Sequence, residues 1–151
     1  MKNTLLLSFI STLAVMPYAM AEGISIDNPW IAEAPPVSKV HAGYFDISNQ
    51  SDNTMELKSV RSPAYRSIEL HRSIEKDGRS SMLHLETLSL SPQQQVRFEP
   101  GSYHLMMFGP ASRMTAGDVI ELVFSFSDGQ EIRKQATVKK HQAESHHHHH
   151  H

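Results

Sequence analysis

Two Asp-Gly pairs, Asp77–Gly78 and Asp128–Gly129, each stand between runs in which apolar and polar residues alternate. Asp-Gly suits the tight turns in which both central residues need positive φ, so this arrangement is a strong local signal for a β-hairpin. The second pair follows "DVIELVFSF", where Ile120, Leu122, Phe124 and Phe126 share one parity and Glu121 and Ser125 the other. It leads into "QEIRKQATV", where Ile132, Ala136 and Val138 share a parity, and a two-residue loop is expected between the two arms. "GYFDISN" alternates in the same way, with Phe45 and Ile47 on one face. Loops are expected at Pro35–Pro36 and Ser62–Pro63, and a type II turn at Glu99-Pro100-Gly101. No stretch of a dozen residues has a helical period. Short alternating segments punctuated by turn residues predict an all-β chain, a sandwich or barrel of antiparallel strands.

The ends read differently. Lys2, the apolar run "LLLSFISTLAV" and "AMA" at Ala19 to Ala21 have the pattern of a secretory signal peptide, which assigns residues 1–21 to a leader. The run is too short to span a bilayer as a helix. A lipid-anchored leader needs a Cys at the cleavage point, and the chain has no Cys. Residues 142–151 are read as a tail ending in six histidines of an affinity tag, which leaves His41, His71, His84, His104 and His141. Residues 22–141 then make one domain, large enough to bury a core without disulfides. The net charge is −2 and no basic block stands out, which argues against a nucleic-acid partner. The mature chain is expected to be a periplasmic monomer without a membrane span.

The first Asp-Gly pair carries the chemistry. In "IELHRSIEKDGRSSMLHLETL", Ile68 and Leu70 share a parity on the first arm, and Leu83 and Leu85 on the second. A two-residue loop pairs Lys76 with Arg79, then Ser73 with Met82 and His71 with His84. His71 and Met82 become diagonal neighbours on the face away from the aliphatic residues, about 7–8 Å apart at the backbone. In "YHLMMF", Leu105 and Met107 have core parity, and His104 and Met106 point the other way. Two imidazoles and two thioethers thus avoid the core side of their own strands. Thioether sulfur is a poor ligand for hard cations, whereas Cu(I) accepts thioether and imidazole without a square-planar demand. Unlike a thiolate, a methionine cannot be lost to a disulfide in an oxidising compartment.

The spacing His71–ten residues–Met82–21 residues–His104–x–Met106 resembles the signature of the periplasmic copper chaperone family PCuAC, formerly a domain of unknown function. "NPWIAEAPPVSKVHAGYFDISN", "RSPAYRSIELH" and "EPGSYHLMMFGPASRMTAGDVIELVFSF" are similar to the family's early, central and late segments. The resemblance implies a cupredoxin-like, Ig-like Greek-key β-sandwich that binds one Cu(I) per chain through His71, Met82, His104 and Met106. It also implies delivery toward the CuA domain of cytochrome c oxidase, alongside Sco-type proteins. Two features depart from the family. Arg72, Ser73 and Ile74 follow His71 where members often carry a Met, and no His- and Met-rich tail precedes the terminal histidines.

Plainer roles compete for the remaining residues. Met107 has core parity and is expected to pack, Met114 to pack or to lid the site, and Met55 to lie in the core or at an edge. His84 is expected to be a solvated surface residue, with a hydrogen-bond partner or an alternative ligand as the other readings. His41 is expected at the surface and Trp30 between the sheets. A blue-copper redox centre needs a Cys, and no G-x-S-x-G elbow is present, so no enzyme is expected. The alternatives to a chaperone are a copper buffer without a dedicated acceptor and a metal-free interaction module.

Overall fold

The computed structural model describes residues 23–140, so the expected leader and tail lie outside the described residues. The described residues form ten strands and no helix: β1 (Ile24–Ala32), β2 (Val40–Asn49), β3 (Met55–Arg61), β4 (Tyr65–Lys76), β5 (Arg79–Leu85), β6 (Leu88–Leu90), β7 (Gln95–Phe98), β8 (Tyr103–Pro110), β9 (Val119–Phe126) and β10 (Glu131–Lys139). Hydrogen bonding links them in the order β5-β4-β8-β7-β2-β1-β10-β9-β3-β6, with β8 also pairing directly to β2. Most neighbours are antiparallel; β1 with β10 and the single β7–β8 bridge are parallel.

This ladder is folded on itself. β2 and β9 are three steps apart in the hydrogen-bond order, about 14 Å in a flat sheet. Yet the rings of Phe45 on β2 and Phe124 on β9 meet edge-on with centroids 4.9 Å apart. Between the two layers lie Ile26, Phe45, Ile47, Leu57, Leu105, Leu122 and Phe124, all essentially without solvent contact. Phe45, Ile47, Leu105, Leu122 and Phe124 are among the residues whose parity marks them as inward; Ile26 and Leu57 join them, and the burial of all seven is the main force closing the sandwich.

The turns follow the sequence with one difference. Asp77 and Gly78 have φ of 54° and 70°, a type I′ turn, and β4 meets β5 in the register expected, Lys76 opposite Arg79. Gly101 has φ 80° and the Ser102 amide donates to the Glu99 carbonyl, the expected type II turn. The β9–β10 loop is longer than two residues. The Gly129 amide donates to Phe126 O, the Phe126 amide donates to Gln130 O, and Gly129 alone has positive φ, 85°. That is a three-residue loop, Ser127 to Gly129, ending in a left-handed glycine.

Two single-residue expectations are corrected. Trp30 is half-buried and packs on Tyr44, ring centroids 4.5 Å apart, outside the core cluster. The cause is a bulge in β1 between Asp27 and Trp30, where Asn28 takes φ 50°. The extra residue switches strand parity, so Ile26 and Ile31 both face inward and Trp30 is turned out. His41 is buried rather than exposed, and its Nδ1 is hydrogen-bonded to Tyr65 Oη at 2.7 Å. Tyr65 Oη in turn donates to Met114 Sδ at 2.9 Å, which makes Met114 a packed core residue, as is Met107.

Candidate metal centre

Three strands carry the candidate donors. β4 is central, β5 lies on one side and β8 on the other. His71 on β4 stands directly opposite His84 on β5 and directly opposite His104 on β8. The three imidazoles form a row across the sheet, with ring centroids 5.3 Å apart for His71 and His84 and 5.8 Å for His71 and His104. Met82 is opposite Ser73, two residues toward the Asp77–Gly78 turn; Met106 is opposite Glu69, two residues the other way. The structure therefore puts all four sequence-predicted residues on one face. His71 and His104 are adjacent, and each thioether lies one diagonal step from His71, on opposite sides of the row.

Burial grades across the row. His104 is 7% exposed and the His71 side chain 12%, whereas Met82 is 62% exposed on edge strand β5. The two imidazoles are thus largely withdrawn from solvent, and Met82 is the most exposed of the four candidate donors.

The hydrogen bonds of the buried His104 and the mostly buried His71 fix where their lone pairs lie. His71 Nε2 is 2.9 Å from Glu69 Oε2, and His104 Nδ1 is 3.1 Å from the Ser102 carbonyl oxygen. Both oxygens are acceptors, so those nitrogens carry the protons. In the neutral rings the lone pairs then sit on His71 Nδ1 and His104 Nε2. Both atoms are buried and neither has a hydrogen-bond partner. An unpartnered buried polar atom costs about 1–3 kcal/mol. Two such lone pairs on facing side chains are open to a hydrogen-bond donor or to a metal ion. A carboxylate behind one imidazole and a backbone carbonyl behind the other are the usual supports of metal-binding histidines.

Glu69, His71 and His84 can also bring one ligand atom each within 4.8 Å of one another. Within that trio Glu69 already accepts the hydrogen bond from His71 Nε2, a contact that fixes the orientation of the ring. The sequence held this signal unused: in "ELH" the alternation puts Glu69 on the face of His71. Ser102 acts through its backbone, which no side-chain pattern reveals.

The LpqE-like family matches residues 24–138, nearly the whole described sandwich. The chain belongs to the LpqE-like family. Lxx21020 of Leifsonia xyli subsp. xyli (strain CTCB07), which bears a lipoprotein name, is 26% identical to this LpqE-like chain over 117 residues, 77% of this chain and 69% of that protein. RP573 of Rickettsia prowazekii (strain Madrid E) is 30% identical over 91 residues, 60% of this chain, which spans only 50% of that relative. Among solved structures, the copper-bound PCuAC domain from PmoF2 is similar with a TM-score of 0.68 at 22% identity, covering 82% of this chain and 97% of that one. The Cu(I) form of DR1885 from Deinococcus radiodurans is similar with a TM-score of 0.66 at 22% identity, covering 81% and 83%. This LpqE-like chain thus has the cupredoxin-like, Ig-like β-sandwich of PCuAC domains.

Proposed function

We propose that this protein is a periplasmic metallochaperone that carries one Cu(I) ion as cargo on His71, Met82, His104 and Met106. The observation that carries the proposal is the pair of buried lone pairs, His71 Nδ1 and His104 Nε2, on facing rings with a thioether one diagonal step to each side. Two neutral nitrogens and two neutral sulfurs suit a soft monovalent ion and offer a hard divalent one little. The likeness to a copper-bound PCuAC domain and to Cu(I)-DR1885 supports the same cargo.

Delivery proceeds by ligand exchange. His71 and His104 hold the ion while the exposed Met82 swings away, which opens a coordination position to an acceptor's ligand. Thioethers leave without proton transfer, so the exchange needs no acid or base. The acceptor in this reading is a CuA domain of cytochrome c oxidase, with Sco-type proteins as co-workers. Exposure of Met82 at a free sheet edge favours handover over storage.

The test is X-ray absorption of the chain loaded with Cu(I) after removal of the six terminal histidines. Sulfur and nitrogen scattering are expected in the native chain, and loss of the sulfur shell in a Met82→Leu, Met106→Leu variant. An unchanged sulfur shell in that variant overturns the ligand set.

A further inference from the structure

A second concavity lies at the opposite end of β4 and β8. It is an open cleft of about 500 Å³ between the Pro35–Pro36 loop and the segment that follows β8. That volume is in the range of small-molecule sites, about 300–1,000 Å³. Pro36, Val37 and Pro110 give it an apolar wall, and Val37 stands 88% exposed. Lys39, Arg66 and Arg113 line it too, and no carboxylate does. Nor are these charges neutralised elsewhere. The ion pairs among the described residues involve Arg61, His71, Arg97 and Arg133, never these three. In a chain with 16 acidic and 14 basic residues, three unpaired cations around one acid-free cleft is a pronounced local excess.

The cleft is built on fixed supports. Its floor is His41, held by Tyr65, which also bonds Met114. Its side is set by Gly109, whose φ of 61° and lack of a Cβ let the chain pass Arg66; a Cβ there would lie 3.0 Å from Arg66 Cβ. Arg66 is five residues from His71 along β4, about 17 Å. It has the opposite parity, so the cleft is separate from the imidazole row.

We propose that this cleft binds a small organic anion, its carboxylate or phosphate seated among Lys39, Arg66 and Arg113 and its apolar body against Pro36, Val37 and Pro110. Guanidinium forks match both head groups, and an apolar wall beside them selects an amphiphilic ligand over a bare ion.

The test is an NMR titration of the full chain at pH 7.5 with four probes: acetate, inorganic phosphate, hexanoate and hexyl phosphate. Saturable shifts are expected at the Ser38, Lys39, Gly109 and Ser112 amides, with the hexyl-chain probes binding at least about tenfold tighter than acetate or phosphate. Whichever of hexanoate and hexyl phosphate binds better identifies the head group. An Arg66→Gln, Arg113→Gln variant that keeps the native amide spectrum elsewhere is expected to bind at least about tenfold more weakly. Lack of saturation at millimolar probe, shifts scattered over the surface, or equal binding by the variant overturns the proposal. Copper binding is read separately and is expected to be untouched in the variant.

Discussion

His71 and His104 face each other across the β4–β8 ladder with ring centroids 5.8 Å apart, and each has one nitrogen tied to an acceptor and the other buried without a partner. The geometry makes the pair sensitive to the groups that fix its tautomers.

Glu69 is the first such group. Glu69→Ala removes the acceptor that keeps the proton on His71 Nε2, and Cu(I) affinity is expected to fall about 10–100-fold. Glu69→Gln retains a carbonyl oxygen that can accept the same bond and is expected to recover most of the loss. Competition against a Cu(I)-specific chelator measures both, and equal affinities for the two variants refute the orienting role.

His84 and His104 are expected to separate sharply although both neighbour His71. His104→Gln removes a buried lone pair and should cost at least about tenfold in Cu(I) affinity. His84 is exposed, and His84→Gln is expected to stay within about twofold, because surface substitutions usually move free energies by no more than ~0.5 kcal/mol. The same chelator competition decides it; a large loss in His84→Gln makes His84 a ligand.

His41 gives the fold a pH dependence of known sign. Burial lowers its pKa from the ordinary 6.5, so the folded ring stays neutral where the unfolded one takes a proton. The unfolded state therefore binds more protons as pH falls below 6.5. The stability this ring contributes is present above that pH and is lost as pH drops toward its folded value, at no more than about 1.4 kcal/mol per pH unit. His41→Gln can keep a hydrogen bond to Tyr65 and should flatten the difference in urea stability between pH 7.5 and 5.5. A variant with the native slope shows that other groups carry it.

Asn49 is a buried staple. It is 1% exposed, its Nδ2 donates to the carbonyls of Asn53, Leu90 and Ser91, and its Oδ1 accepts from Ser51. Asn49→Ala is expected to destabilise the fold by about 2–3 kcal/mol, since it strands the carbonyls of Asn53, in the β2–β3 connection, and of Leu90 and Ser91, at the end of β6. Cu(I) affinity of the folded fraction should not change. Chemical denaturation provides the measurement, and a loss under 0.5 kcal/mol contradicts the assignment.

Much of the candidate site's geometry was legible because it rests on local structure. A two-residue Asp-Gly turn fixes the pairing of its arms, and strand alternation fixes the faces. His71, Met82 and His84 could therefore be placed relative to one another before any fold was known, and the observed register agrees. The side of β8 on which His104 and Met106 lie follows from the same alternation. The β9–β10 loop has one residue more than its Asp-Gly pair suggests, because Asp-Gly serves both two- and three-residue loops and the flanking hydrogen bonds choose between them.

What the sequence alone determined is the parity of each strand and the register of the first hairpin, since both depend on backbone geometry over a few residues. That β8 pairs with β4, so that His104 meets His71, was decided by the tertiary structure. Strand adjacency across 33 positions is set by the summed packing of a whole core, which no short window contains. The same holds for the bulge that turns Trp30 outward, for the burial of His41, and for the two acceptors that leave His71 and His104 each with a bare nitrogen.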